Sequence, residues 1–370
     1  MDYRSMVAER NQKNSRDETF FKLEKERNQE EEEVVVEEEA KLSSSKKRGQ
    51  DHNNNAVKIG IIGVGGWGKN HSRVLHDFGV LTSICDMDKT KAQDLANRYN
   101  VNYYGSIEDM ISFENLDACL VCTPTKTHYQ VSKKLMENGI NVFIEKPLSY
   151  SSIECEEMIQ IAKKKKIAMT CGYIERFNPA VQDVKKILSE ETYGELLMIE
   201  FHRENRMPLH IKDVGIIYDT AVHDIDTAIY LFGKKPQVVF ARAGKIFHSF
   251  EDFSNIMLGF GKDKVAVISS NWITPKKVRK FSAVCTDGII NGDFINQEIS
   301  IEDSNSTIIP RRFSLVEPLS LELKSFIEVI EGKREQPEVT PEEATNVTKI
   351  AEAALLSSNT GAPIYLNLGE

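Results

Sequence analysis

The chain has 370 residues, 41% of them hydrophobic and 28% charged, with a formal net charge of −9. At about 150 residues per domain, that length corresponds to roughly two and a half domains of an ordinary soluble globular protein. No run approaches the eighteen or so consecutive apolar residues of a membrane helix, and the first thirty residues lack the apolar centre of a secretory signal. The reading is therefore a cytoplasmic protein with no membrane partner, and the acidic balance offers no global attraction for nucleic acid.

Residues 1–55 carry 14 acidic and 11 basic side chains, including the runs Glu30–Glu33 and Glu37–Glu39. Few apolar groups are present to offset the cost of ordering the backbone, so this segment reads as a charged, largely disordered tail. The stretch from Glu18 to Leu42 has the composition of a single exposed helix.

From Val57 the pattern alternates between strands and helices. VKIGIIG reads as a buried strand, WGKNHSRVLHDFG as a helix, LTSICD as a strand and KTKAQDLANRYN as a helix. VNYYG, a short helix near Ile107, the strand DACLVCT, the helix KTHYQVSKKLMENG and the strand NVFIE follow, then a helix over 152–165 and the strand IAMTCG. Such alternation implies right-handed crossovers and a doubly wound parallel sheet, a Rossmann-type α/β domain over 56–175. Cys119 and Cys122 form a C-x-x-C within DACLVCT. Three residues apart on a strand, they face opposite sides of the sheet, so small buried hydrophobes are a better reading than a metal or redox pair.

Beyond Arg176 the grammar changes. A helix (PAVQDVKKILSE) and a strand (ELLMIEFHR) lead through the irregular ENRMPLHIKDVG to an apolar helix, IIYDTAVHDIDTAIYLFG. Several strand-like runs follow, from QVVFARAGKIF to QEISIED, then two helices, LSLELKSFIEVIEG and PEEATNVTKIAEAALLSSNTG, and the strand APIYLNL. Residues 176–370 are thus expected to form an α+β domain with a large, mostly antiparallel open sheet, closed by the last two helices.

Three places carry chemistry. Gly63-Val64-Gly65-Gly66-Trp67-Gly68 is a G-x-G-x-x-G between the first strand and first helix, with Asp86 at the end of the second strand. The first glycine permits a tight turn, the second lets backbone approach a pyrophosphate, and the third lets helix and strand pack closely. The diphosphate then meets exposed amides at the positive helix end. Asp86 would accept from ribose hydroxyls and repel a 2′-phosphate, favouring NAD over NADP.

Glu145-Lys146-Pro147 stands where the fifth strand leaves the sheet, at the crevice expected of this fold. Lys146 reads either as a proton-exchanging group there or as a surface lysine at a strand end. Asp219 and His223 are four apart on the apolar helix, with Asp226 a further turn along. They read either as a general base with its carboxylate or as a buried hydrogen-bonded pair. A zinc site from His223, Asp224 and Asp226 lacks a third imidazole at ligand spacing, so no metal is expected.

In this order and spacing the motifs resemble the glucose–fructose oxidoreductase and inositol dehydrogenase family, Gfo/Idh/MocA. The matching elements are the Gly63–Gly68 loop, Val121-Cys122-Thr123-Pro124 with His128, Glu145-Lys146-Pro147, Gly172-Tyr173 with Arg176-Phe177-Asn178-Pro179, and Asp219-x-x-x-His223, within a resemblance that runs from Val57 to Leu368. It implies an NAD(P)-dependent enzyme acting on a sugar or cyclitol hydroxyl, with Lys146 and His223 catalytic and Asp219 assisting. Gly63, Gly65, Gly66, Trp67, Gly68, Asp86, Thr123, Pro124, His128 and Glu145 would hold the cofactor. Lys146, Arg176, Asn178, Arg203 and His223 would face the substrate. It also implies a homodimer or homotetramer joined through the open sheet of the second domain.

RFNPAVQDVKKIL, IKDVGIIYDTAVHDID and EPLSLELKSFIEVIEG look like the branch that oxidises UDP-N-acetylglucosamine at carbon 3. That branch carries a proline-rich segment before IKDVG, where this chain has Arg203-Glu204-Asn205-Arg206-Met207-Pro208-Leu209-His210. Two other readings keep the fold: a redox-neutral sugar hydrolase or epimerase using transient NAD oxidation, and a non-catalytic NAD-binding sensor or scaffold.

Overall fold

The computed structural model describes residues 57–208, 211, 213–304, 306–310 and 315–367. The charged tail expected over 1–55, and Leu209, His210, Lys212 and Leu368, lie outside the described residues.

Strands β1 (Ile59–Ile62), β2 (Leu81–Cys85), β3 (Asn102–Tyr104), β4 (Ala118–Val121), β5 (Asn141–Glu145) and β6 (Met169–Gly172) form one sheet in the order β3-β2-β1-β4-β5-β6. Every pairing in it is parallel. All four residues of β1, β4 and β6 are buried, as strands covered by helices on both faces require. The connecting helices are α1 (Gly66–Asp77), α2 (Lys89–Tyr99), α3 (Ile107–Phe113), α4 (His128–Glu137) and α5 (Ser152–Lys165). Asp88 caps α2 through the Lys91 amide and Ser106 caps α3 through the Asp109 amide. No side chain caps α1, so its first amides remain available to a ligand. Cys119 packs in the core on one side of this sheet and Cys122 against the core on the other, as their spacing predicts.

The second sheet has nine strands among the described residues: β7 (Leu196–Glu204), β8 (Val238–Gly244), β9 (Phe253–Phe260), β10 (Lys264–Asn271), β11 (Val278–Cys285), β12 (Ile289–Asp293), β13 (Glu298–Glu302), β14 (Thr307–Ile308) and β15 (Ile364–Tyr365). Their order is β14-β13-β12-β11-β7-β10-β9-β8-β15, and β7 with β10 is the one parallel pair. The run RKFSAVCTDGIINGDF resolves into β11 and β12, closed where the Cys285 amide donates to the Gly288 carbonyl at 2.8 Å. Residues alternate along these strands: Ala266, Ile268 and Ser270 of β10 are buried, whereas their neighbours are half-buried. The buried face packs against α6 (Pro179–Ser189) and α7 (Val222–Phe232). The opposite face exposes Phe240 and Met257, which are cross-strand partners.

One expectation is corrected. Helix α8 (Pro318–Ile330) does not close the second domain but crosses back to the first. Leu319, Leu323, Phe326 and Ile327 share a core with Ile59 and Ile61 of β1 and Val74 and Leu75 of α1. An apolar stripe dictates that a helix is covered, without specifying which surface covers it. Helix α9 (Pro341–Thr360) then spans both sheets: Ser357 accepts from the Ala241 amide of β8, and Glu352 accepts from the Ser152 amide at the start of α5.

Candidate active site

The order of the first sheet reverses between β1 and β4, and a crevice of about 700 Å³ opens at the carboxyl ends of its strands. Its lining includes the Gly63–Trp67 loop, Asp86, Thr123, Pro124, Glu145 and Lys146 from the first lobe, and Asp213, Val214 and Asp219 from the second.

The glycine loop has the shape that a dinucleotide requires. Gly63 has φ +87°, and a Cβ there would lie 2.6 Å from the Cys122 carbonyl oxygen. A Cβ on Gly68 would lie 2.0 Å from the Gly63 carbonyl oxygen, so the third glycine is set by close approach of α1 to the strand. At Gly65 a Cβ would meet nothing within 4 Å: that position faces open space, as an approach route for a diphosphate must. Asp86 is fixed by the Val64 amide on Oδ2 (2.8 Å) and the Asp88 amide on Oδ1 (2.9 Å). Each carboxylate oxygen retains a lone pair for a ribose hydroxyl.

Behind this surface, His71 was not anticipated from the sequence. It is fully buried on α1, and its Nε2 lies 2.6 Å from Glu145 Oε1. Burial pushes the Glu145 carboxyl up, but the His71 bond and the Lys146 charge outweigh it and hold the group below its ordinary range. His128 lines the crevice with Nδ1 2.9 Å from the Pro147 carbonyl and Nε2 2.9 Å from the Thr123 carbonyl. It straps together the chain segments leaving β4 and β5. The Lys146–Pro147 bond is cis.

Across the crevice, Lys146 Nζ donates to Asp219 Oδ1 at 2.9 Å and to the Asp219 carbonyl at 2.5 Å. The segment Ile217–Ala221 is a π-helical turn that runs into α7, rather than the first turn of one regular helix. The wider turn changes the angular step between Asp219 and His223, and such insertions recur at functional sites. The carboxylate turns to Lys146 and to the Thr220 hydroxyl (3.1 Å). His223 Nδ1 is buried with no hydrogen-bond partner. Burial pushes the His223 imidazole well below its ordinary pKa, and the charges of Lys146, Arg203 and Arg279 push the same way.

Three residues expected at the substrate are occupied by protein. Arg176, 1% exposed, forms a two-point pair with Asp226 (2.6 and 2.9 Å) and reaches Glu343 at 3.1 Å. Asn178 caps α6 through the Ala180 amide and donates to Glu175 and the Phe294 carbonyl. Arg203, 4% exposed, is held by Asp224 (2.7 Å) and Glu175 (2.9 Å). Asp226, expected on one face with Asp219 and His223, is instead the buried partner of Arg176.

A dinucleotide loop on a doubly wound sheet, facing an open-sheet lobe that supplies acidic side chains, defines a two-domain nicotinamide-dependent oxidoreductase. The chain matches the oxidoreductase family with NAD-binding Rossmann fold over residues 57–173 and the GFO/IDH/MocA C-terminal domain over 181–291. It belongs to the GFO/IDH/MocA family. Among curated relatives, UDP-N-acetylglucosamine 3-dehydrogenase of Acidithiobacillus ferrooxidans is 24% identical over 69% of this chain and 79% of that protein. The NAD(+)-dependent scyllo-inositol 2-dehydrogenase of Bacillus subtilis is 26% identical over 84% and 97%. A crystal structure of the Acidithiobacillus ferrooxidans enzyme superposes with a TM-score of 0.76 at 22% identity, covering 82% of this chain and 98% of that one. No described helix is long and apolar enough to cross a membrane.

Proposed function

We propose that this protein oxidises a ring hydroxyl of a sugar or nucleotide sugar with NAD, and that the 3-hydroxyl of UDP-N-acetylglucosamine is the best-supported substrate. The observation that carries the reading is the Lys146–Asp219 contact across the crevice, one helical turn from a half-buried His223. NAD, when bound along the Gly63–Gly68 loop, supplies the acceptor for the hydride leaving the carbinol carbon. His223, neutral through the physiological range, takes the hydroxyl proton on Nε2, since Nδ1 is buried. Lys146, anchored on Asp219, donates a hydrogen bond to the substrate oxygen and fixes its approach. Glu145, held by His71, keeps the strand end from which Lys146 projects in register. Copies of the chain associate as a dimer or tetramer through the open sheet face bearing Phe240 and Met257.

The test is to incubate the full chain with NAD and UDP-N-acetylglucosamine, following NADH absorbance beside analysis of the sugar. Stoichiometric NADH with a keto product supports the reading. Altered sugar without NADH identifies a redox-neutral enzyme instead, and no turnover of any sugar or cyclitol removes the assignment.

A further inference from the structure

We propose that Arg279, with Lys277 beside it at the rim, seats a carboxylate or phosphate carried by the substrate, next to the reacting hydroxyl. The proposal rests on the dehydrogenase reading for what the site does, but not for what it binds.

Arg279 of β11 lies directly opposite Arg203 of β7, on the face of the sheet that carries Phe281 and Ala283 into the core. Like charges directly opposite one another on a sheet are destabilising unless anions separate them. Two carboxylates are at hand, and both are spent on Arg203. Asp224 takes its Nε and Nη2 at 3.0 and 2.7 Å, and Glu175 Oε1 takes its Nη1 at 2.9 Å. The other oxygen of Glu175 accepts from Asn178 at 3.1 Å. Arg279 is left with a 3.9 Å approach to an oxygen already bonded to Arg203. Lys277 has no ion-pair partner among the described residues, and the charges of Arg279, Arg203 and Glu175 all bear on it. The cluster thus holds three cations against two carboxylates, the nearby Asp219 being paired with Lys146.

The surplus is felt by the candidate catalytic groups. Arg279 is close enough for its charge to act on both His223 and Asp219. Burial and Arg203 hold its guanidinium below the usual value, the mark of a cation kept without a sufficient counter-ion. The same inward row continues from Arg203 to Ser270 and Ser254, whose buried hydroxyls have no hydrogen-bond partner. An under-compensated guanidinium within range of His223 and Asp219 suits an oxygen-rich anionic ligand.

The experiment uses the full chain saturated with NAD, so that nucleotides cannot occupy the cofactor loop, and titrates UDP, glucuronate and neutral myo-inositol by calorimetry. UDP binding identifies a diphosphate as the anion, and glucuronate binding a sugar carboxylate. Arg279→Gln is expected to weaken whichever anion binds by at least about tenfold, while Arg279→Lys stays within about threefold. Affinity for NAD and myo-inositol is expected to be unchanged in both. If Arg279→Gln does not fold, Lys277→Gln serves, with an expected loss of about threefold or more. Binding of neither anion, wild-type anion affinity in the variants, or an equal loss for myo-inositol would overturn the proposal. Absence of NADH formation with every sugar, alongside the tenfold anion effect, would overturn the dehydrogenase reading and leave the anion seat intact.

Discussion

Lys146 and Asp219 bridge the two lobes: an ammonium from the end of β5 sits 2.9 Å from a carboxylate on the π-helical turn that precedes α7. Both side chains are largely withdrawn from solvent, so removing either costs the other its charge partner where water compensates poorly. Lys146→Met and Asp219→Asn are therefore expected to lower kcat by about a hundredfold or more. NAD affinity is expected to stay within about twofold, because the glycine loop and Asp86 are untouched. Trp67, 40% exposed on that loop, gives a fluorescence readout of NAD binding independent of turnover. A variant that keeps full kcat takes its residue out of the mechanism.

The pH dependence follows from His223. Its imidazole is held well below 6.5, by burial first and then by Lys146, Arg203 and Arg279. In the proposed reaction it is the base and is already neutral at pH 6.5, so the acid limb of kcat/KM is expected to fall below that value. His223→Ala is expected to cut kcat by about a hundredfold to ten-thousandfold. The stability sign follows from proton counting. Below pH 6.5 the unfolded chain takes up a proton that folded His223 refuses, so this group's contribution to stability, present above 6.5, is lost as pH falls. Arg279→Gln removes one of the opposing charges and should move the acid limb upward; a limb that stays in place would show that Arg279 does not act on His223.

How legible was this in the sequence? The glycine turn, the parallel strands and Asp86 were readable because their causes are local: sterics at three positions, and burial of whole strands. Lys146 and Asp219, which line the crevice, and His223 were readable as polar groups at a strand end and on an apolar helix. Arg176, Asn178 and Arg203 misled, because their partners Asp226, Glu343, Asp224 and Phe294 stand 21 to 167 positions away in sequence. An arginine in a motif carries no sign of whether protein or ligand will claim it. His71 was missed for the same reason, since its meaning comes from Glu145, 74 positions on. The π-helical turn leaves no periodic signature in so short a segment.

Cofactor choice rests on Asp86, which is oriented by two backbone amides before any ligand arrives. Loss of charge-assisted hydrogen bonds to ribose is expected to cost about 1.5–3 kcal/mol. Asp86→Ser should therefore weaken NAD by about tenfold to a hundredfold and narrow the preference over NADP, through loss of repulsion toward a 2′-phosphate. Titration of both nucleotides against Trp67 fluorescence checks this. Equal NAD affinity in wild type and variant would mean that the ribose is held elsewhere.

Glu322 of α8 is 3% exposed, and neither of its carboxyl oxygens has a hydrogen-bond partner. Burial, then the nearby charges of Glu145, Asp226 and Glu175, push its carboxyl well above the ordinary 4.5. The folded protein therefore holds a proton there that the unfolded chain releases, so stability falls as pH rises through and above 4.5. Holding that proton costs more the further the pH rises above 4.5. Glu322→Gln removes this cost while preserving shape. It is expected to raise the free energy of unfolding, and by more at pH 7 than at pH 5. Urea denaturation at the two pH values measures the difference, and a variant less stable than wild type at both would mean that the ionised carboxylate finds a partner in the native state.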